Sequence, residues 1–286
     1  MKKSLRKLVQ GGTSIVPASL LFSIGLQLRR VRLALPEKRL VVWVSRILDY
    51  CCCSFSPKHV MRRVPSVAGV CILELRVNDP YHYDLALGIH ETVVAEWLVK
   101  NLRPGEVFLD LGANVGYYAI LAAKFIGAEG LVIAVEADPE VAEMLAKNVE
   151  ANHLNNNVRV VSGAVTDHTG IVRLGRAPAS GWTGLYYGEP DEWVEVTGFT
   201  VDDLVKTLQL SRVDAVKIDV EGAEARVLKG MRATMTNCVR RLLIEVHRTH
   251  AGVEEEVLDI LKDRAFAVKL LDKDGATMHV TATPSV

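Results

Sequence analysis

The chain has no excess charge of either sign, no pairable cysteine pattern, no apolar run long enough to span a membrane and no Gly-x-Gly-x-x-Gly. Each absence narrows the possibilities. The five cysteines are odd in number, contain no Cys-x-x-Cys and have no histidine at zinc spacing. Cys51, Cys52 and Cys53 are adjacent, which is poor geometry for pairing among themselves, so a reduced, cytoplasmic setting is expected. Lipidation of the triplet is the alternative. The apolar run from Ile15 to Leu28 holds Pro17 and falls short of the roughly 20 residues a span needs. It has no convincing small-residue cleavage site, so a signal peptide is not expected either. The missing glycine fingerprint, together with the lack of a Tyr-x-x-x-Lys pair, weighs against a nicotinamide-dependent oxidoreductase.

What is present is unevenly distributed. Residues 1 to 63 carry 13 lysines and arginines against only Glu37 and Asp49, a balance of +11 that leaves −11 for the rest. The acidic remainder argues against nucleic acid as the main substrate. In the basic segment Pro36 opens a helical pattern with Leu40, Val41, Trp43, Val44, Ile47 and Leu48 on one broad face. Such a helix suits either the surface of an anionic membrane or a cap on a domain core. The expected division is an extension, 1–69, and a catalytic domain, 70–286.

The chain is organised around VFLDLGANVGYY, residues 107 to 118. An apolar run ends on Asp110, crosses a glycine-containing turn and enters a helix-compatible segment. Strand, turn, helix brings a helix N-terminus and backbone N–H groups against a ligand. Gly112 and Gly116 are expected to allow φ > 0 and a close approach of that ligand. Asp110 would repel a cofactor phosphate. The next strand ends on Glu136, within VIAVEADP and 20 positions after Gly116. A carboxylate there offers two acceptors to the two hydroxyls of a ribose. A ribose reader without a phosphate cradle points to S-adenosylmethionine; an ordinary βαβ unit with solvated acids is the plainer alternative.

Strand and helix patterns alternate along the rest of the chain. Strands are expected at 70–77, 158–161, 171–174, 193–196, 213–218 and 242–246. Helices are expected at 91–102, after Pro139, at 201–208 behind a Thr200 cap, at about 221–229 and at 253–264. Asn78, Asp79 and Pro80 read as a turn. The loop from Ala177 to Pro190, with Trp182, Tyr186 and Tyr187, reads as a substrate-shaping lid or an insertion without structure. DKDG joins two final strands into a hairpin. The whole predicts an α/β doubly wound sheet ending in an antiparallel hairpin.

A second constellation follows. KIDVEGAE, residues 217 to 224, crosses from strand to helix, and IEVH, residues 244 to 247, ends the next strand. Lys217 and Asp219 share one side of a strand, and Glu245 and His247 could face the same crevice. Transfer to a hydroxyl needs alignment and proton removal. Asp219 or His247 is the candidate base, with Lys217 as an electrostatic helper. Glu221 could instead complement a helix dipole, and His247 could be a surface residue near His250. Carboxylates plus one imidazole at Asp219, Glu245 and His247 would suit magnesium or manganese, although no metal is assigned.

These segments, with GAVTD after the third strand and the LKG end of KIDVEGAE, resemble the FkbM family of S-adenosylmethionine-dependent methyltransferases from about Tyr83 to His247. A Glu91-type acid before the nucleotide unit belongs to the same pattern. The resemblance implies a class I methyltransferase (Rossmann-like) fold of seven strands and O-methylation of a hydroxyl on a sugar, a lipid-linked saccharide or a natural product. It implies that Asp110, Gly112, Asn114, Gly116 and Glu136 line the cofactor, that Ala164 lies near the adenine, and that Asp219 and Glu221 mark the acceptor side. A small-molecule or glycan acceptor follows, with no nucleic acid and with peripheral contact to an anionic membrane as a further expectation. The alternatives at this point are the oxidoreductase and a non-catalytic cofactor-binding scaffold.

Overall fold

The computed structural model describes residues 59–76, 79–87, 92–176, 183–184, 192–248, 252–273 and 275–285. The basic arm before residue 59, Glu91, His250 and the aromatic residues of the 177–190 loop lie outside them. The chain divides into two compact units, one of which includes 59–65 and 72–87.

Strands β1 (His59–Ser66) and β2 (Gly69–Arg76) form a two-stranded sheet. β1 was not expected, because HVMRRVPS lacks a clean alternation. In β2 the period of two is plain, with Cys71, Leu73 and Leu75 buried. Of the turn expected at 78–80, Asn78 lies outside the described residues, and Pro80 opens a helix that was not expected, α1 (Pro80–Leu87). The Asp79 carboxylate accepts the Tyr81 N–H at 2.9 Å, so the residue that signals a turn also starts the helix.

In the second unit, α2 (Thr92–Asn101) precedes β3 (Val107–Leu111), α3 (Tyr117–Ile126), β4 (Leu131–Glu136), α4 (Pro139–Ala151) and β5 (Val158–Ser162). After an excursion described below come α5 (Val201–Thr207), β10 (Val213–Ile218), α6 (Glu224–Lys229), α7 (Arg232–Asn237) and β11 (Val239–His247). Helix α8 (Val253–Asp263) and the hairpin β12 (Phe266–Lys273) and β13 (Thr277–Pro284) finish the chain. The sheet order is β12-β13-β11-β10-β3-β4-β5. β11, β10, β3, β4 and β5 run parallel, and the hairpin joins antiparallel through β13. The expected doubly wound sheet with its closing hairpin is observed. Its central strands β3 and β10 are buried along almost their whole length because both faces are covered, and their runs VFLDL and VDAVKI are mainly apolar, whereas the edge strand β5 (VRVVS) is partly exposed. Helix α4 starts where Pro139 suggested, with Asp138 as its cap accepting the Glu140 N–H at 2.9 Å.

Two departures matter. Gly163, at φ 147°, ends β5 and turns the chain into β6 (Ala164–Val165), which leaves the main sheet. With β7 (Gly170–Arg176), β8 (Thr183–Gly184) and β9 (Glu192–Phe199) it forms a second sheet of four strands. The other departure follows β10. The helix expected from Glu221 begins at Glu224, because Glu221 (φ 53°) and Gly222 (φ 94°) form a left-handed turn. Glu221 is therefore not a helix-terminal acid. A glutamate held at positive φ is strained, which usually marks a site rather than a mere connection.

Parallel pairing sets the ends of β3, β4, β10 and β11 at one edge, with Lys217 directly opposite Asp110. The turn after β3 crosses this edge. Gly112 (φ 81°) and Gly116 (φ 89°) adopt the expected positive φ. The space that a side chain would fill is not left for a ligand, however. A Cβ on Gly112 would stand 1.7 Å from the Asp219 carbonyl oxygen, and one on Gly116 would stand 2.3 Å from the Leu145 methyl. Gly112 is there so that the turn can lie on the strand end carrying Asp219. Gly112→Ala should therefore destabilise the fold by about 2–4 kcal/mol, from left-handed strain and overpacking against backbone. Urea unfolding reads this as a lower midpoint; an unchanged midpoint would show that the two segments part without cost.

Candidate functional site

Two groups of side chains meet at the carboxyl edge of the sheet, where open α/β sheets bind ligands. The first belongs to the turn after β3 and to the end of β4. Asp110 is fully buried, and neither carboxylate oxygen has a hydrogen-bond partner. Lys217 Nζ lies 3.5 Å from Oδ1. Burial pushes the Asp110 carboxyl up to about 6 against the pull of Lys217. Glu136 is buried as well. Its Oε2 accepts the Asn114 N–H at 2.9 Å, and its Oε1 accepts the Asp138 N–H at 2.9 Å. Burial raises it to about 7 in spite of those two N–H groups. Asn114, at φ 49°, turns its N–H toward Glu136 and accepts the Val115 N–H on its own side chain at 2.7 Å. The loop beyond Glu136 is clamped by Arg176, whose Nε and Nη2 bind the two oxygens of Asp138 at 2.8 and 2.7 Å. Ala164 sits in β6, one residue past Gly163, whose N–H donates to the Glu136 carbonyl at 2.9 Å.

The second group converges on His247. The imidazole Nδ1 meets Glu224 Oε1 at 2.9 Å. Its Nε2 faces Glu221 at 3.2 Å, Glu245 at 3.8 Å and Asp219 at 4.0 Å. His247 is thus a buried residue rather than a surface one. Burial disfavours its charge, but the Glu224 hydrogen bond and the surrounding carboxylates of Asp219 and Glu221 outweigh that and lift it to about 10. In this arrangement the ring is an imidazolium and a donor. Burial, reinforced by Asp219, Glu245 and Glu224, raises Glu221 to about 8 although His247 pulls the other way. Lys217, 2% exposed, donates to Asp219 Oδ2 at 2.9 Å and lies 5.4 Å from the centre of the Tyr118 ring.

Lys217, Asp219, Glu221, Glu245 and His247 are therefore brought together as expected, and Asp110 joins them through Lys217. Two residues escaped the sequence reading. Glu224, within KIDVEGAE, is fully buried in the first turn of α6, where an acid ordinarily faces water. His279 pairs across β13 with Glu245 and lies 3.4 Å from it. Only the non-local hairpin pairing identifies His279. A cavity of about 460 Å³ lies elsewhere, where β10 and β11 begin, lined by Arg212, Met235 and Phe266 among others; it contains none of these groups.

The donor set can be tested against a sulfonium nucleoside. S-adenosylmethionine carries ribose hydroxyls and an ammonium, all donors, and no phosphate. Asp110, with two buried unbonded oxygens, and Glu136, at the end of the neighbouring strand, are acceptors that a phosphate would meet unfavourably. The residues fit that cofactor.

A model of the Methyltransferase FkbM domain matches residues 110–268, more than half of the chain. The chain is 23% identical over 181 residues to the hexuronic acid methyltransferase AglP of Haloferax volcanii, covering 63% of this chain and 71% of that protein. It is 27% identical over 200 residues to the 31-O-demethyl-FK506 methyltransferase FkbM of Streptomyces tacrolimicus, covering 59% and 75%. A crystal structure of Aeropyrum pernix fibrillarin with natively bound S-adenosyl-L-methionine aligns with a TM-score of 0.46 at 18% identity, covering 78% of this chain and 82% of that one. The family match spans both motif groups and displaces the oxidoreductase and scaffold alternatives. The chain belongs to the FkbM family of S-adenosylmethionine-dependent methyltransferases.

Proposed function

We propose that this methyltransferase acts on a hydroxyl oxygen of a sugar, either in a glycan or in a lipid-linked saccharide. The observation that supports the reading is the packing of Gly112 on Asp219, by which the glycine turn after β3 lies beside the carboxylate–imidazole cluster. The hexuronic acid methyltransferase among the relatives supports a sugar acceptor.

In this reading Glu136 receives both ribose hydroxyls, while Asp110, Gly112, Asn114 and Gly116 line the rest of the cofactor and Ala164 borders the adenine. Bound S-adenosylmethionine supplies a methyl group on a sulfonium, open to in-line displacement. Lys217, Asp219, Glu221 and His247 line the acceptor side. His247 donates to the acceptor or to its neighbours, which leaves Asp219 to take the hydroxyl proton. Lys217 holds that carboxylate in place at 2.9 Å and offsets the charge of Asp110. The acidic domain argues against a nucleic-acid acceptor. The basic arm is proposed to hold a cytoplasmic enzyme peripherally at an anionic membrane, where lipid-linked sugars reside. Among the described residues no helix is long and apolar enough to cross a membrane.

Three measurements check these roles. Calorimetry with S-adenosylmethionine should show Glu136→Gln weakening binding by about 1–3 kcal/mol, the usual cost of a lost charged hydrogen bond. The free carboxyl sits near 7 and the ribose favours its ionised form. Wild-type affinity should thus begin to fall below about pH 7, whereas the variant should begin to fall only near pH 6, where Asp110 takes up its proton. Identical affinity and pH dependence in the two proteins would remove Glu136 from the cofactor. Incubation with uronic-acid oligosaccharides and lipid-linked saccharides should add roughly 14 Da, one CH₂ per transfer. Asp219→Asn should slow that transfer about 100-fold or more with cofactor affinity retained; no mass gain on any saccharide would end the sugar assignment. The full-length chain should sediment with anionic liposomes at low salt and not with neutral ones; absence of binding would retire the membrane role.

A further inference from the structure

We propose that Asp219, Glu245 and His247 form a divalent-cation site for magnesium or manganese at the acceptor edge of the sheet. One donor atom from each of the three lies within 4.8 Å of the other two. Glu245 and His247 are two apart on β11, so they share one face. Asp219 closes the set from the end of β10, where the turn of Gly112 rests on its carbonyl. Donors about 2.1 Å from a shared octahedral ion stand about 3.0 Å apart when adjacent and about 4.2 Å when opposite. Nε2 of His247 is 3.8 Å from Glu245 and 4.0 Å from Asp219, so the carboxylates would draw in by up to about 1 Å around an ion.

The surroundings are those of a metal ligand. Nδ1 of His247 is engaged by Glu224 at 2.9 Å, and Glu224 is itself fixed by the Gly222 N–H at 2.9 Å. A carboxylate on one imidazole nitrogen sets the ring, and an ion would bind Nε2 by displacing the proton it carries in the metal-free arrangement while Nδ1–H stays on Glu224. Acids also outnumber bases among the described residues of this edge: Asp110, Asp219, Glu221, Glu224 and Glu245 lie with Lys217, His247 and His279. Glu224 Oε2 is buried with no hydrogen-bond partner. Buried carboxylates in that excess require either protons or a cation. Oxygen donors with a single imidazole and no thiolate suit a hard ion such as magnesium or manganese.

The ion's use rests on the hydroxyl-acceptor reading. It would bind the acceptor oxygen and lower its pKa so that the hydroxyl proton is released to water, and Asp219 would then hold the metal rather than take that proton. Binding itself does not depend on that reading, so the test measures binding. Manganese titrated into the full-length chain, with free ion followed by electron paramagnetic resonance, should reveal one stoichiometric site. His247→Ala and Glu245→Gln should each weaken it at least tenfold, and Glu224→Gln by 10- to 100-fold. Melting curves establish that the variants fold. Spin-echo modulation on the wild-type complex should show a directly bound imidazole nitrogen, which keeps the question decidable if the variants unfold. No stoichiometric binding, unchanged binding in folded His247 and Glu245 variants, or no imidazole nitrogen on the ion would overturn the site. The cluster would then be an ion-pair network closed by protons. S-adenosylmethionine titrated into the same sample reports separately on the methyltransferase site.

Discussion

A buried ammonium between two carboxylates holds the working edge of this sheet together. Lys217 stands between Asp110 on β3 and Asp219 past β10. Desolvating a lysine is costly, so it is stable there only with its partners present. Removing it would strand two carboxylates in a low-dielectric edge, a loss of about 3–5 kcal/mol for a broken buried pair. The β3–β10 register puts Lys217 opposite Asp110, and Gly112 lets the intervening turn lie on Asp219. In the proposed function, one side belongs to the nucleoside and the other to the acceptor. The ion pair and the glycine contact fix the distance between them, as transfer along a single line requires.

Burial makes the two sides chemically different. Glu136 is a carboxylate satisfied by two backbone N–H groups and poised near neutrality. Such a group ionises fully when new donors arrive. Around His247 burial, reinforced by neighbouring carboxylates, pushes Glu221 up to about 8, and the Glu224 hydrogen bond with those carboxylates keeps the imidazole protonated. Glu221 is held there by a strained left-handed turn. The turn is anchored between β10, buried along its whole length, and the start of α6, where Glu224 is fully buried. In the proposed function, such a crowded, negative edge beside the methyl donor would favour acceptors that bring hydroxyl protons or arrive with a cation.

Most of the sheet was readable because its strands are short apolar runs ended by glycine or acid, separated by helical patterns. The closing hairpin was readable from DKDG. Local signals failed where pairing is non-local. β6 and β8 have two residues each and become strands only beside β9 and β7. Asp79 reads as a turn residue because the same oxygen that makes a turn caps α1. In the site, Asp110, Glu136, Lys217, Asp219 and His247 stood out by lying at strand ends. Glu224 did not, since its burial is a property of the packed α6–β11 contact and not of its spacing. The glycines were located correctly, but only coordinates reveal that protein, not ligand, fills the space beside them.

The central claim is that one carboxyl edge holds the nucleoside on the β3–β4 side and the acceptor on the β10–β11 side. A crystal structure of the chain soaked with S-adenosylmethionine tests it most directly. The account predicts both ribose hydroxyls on Glu136 and the sulfonium methyl aimed past Gly112 toward Asp219 and His247. Density for the nucleoside anywhere else, or a methyl group directed away from that cluster, would contradict it.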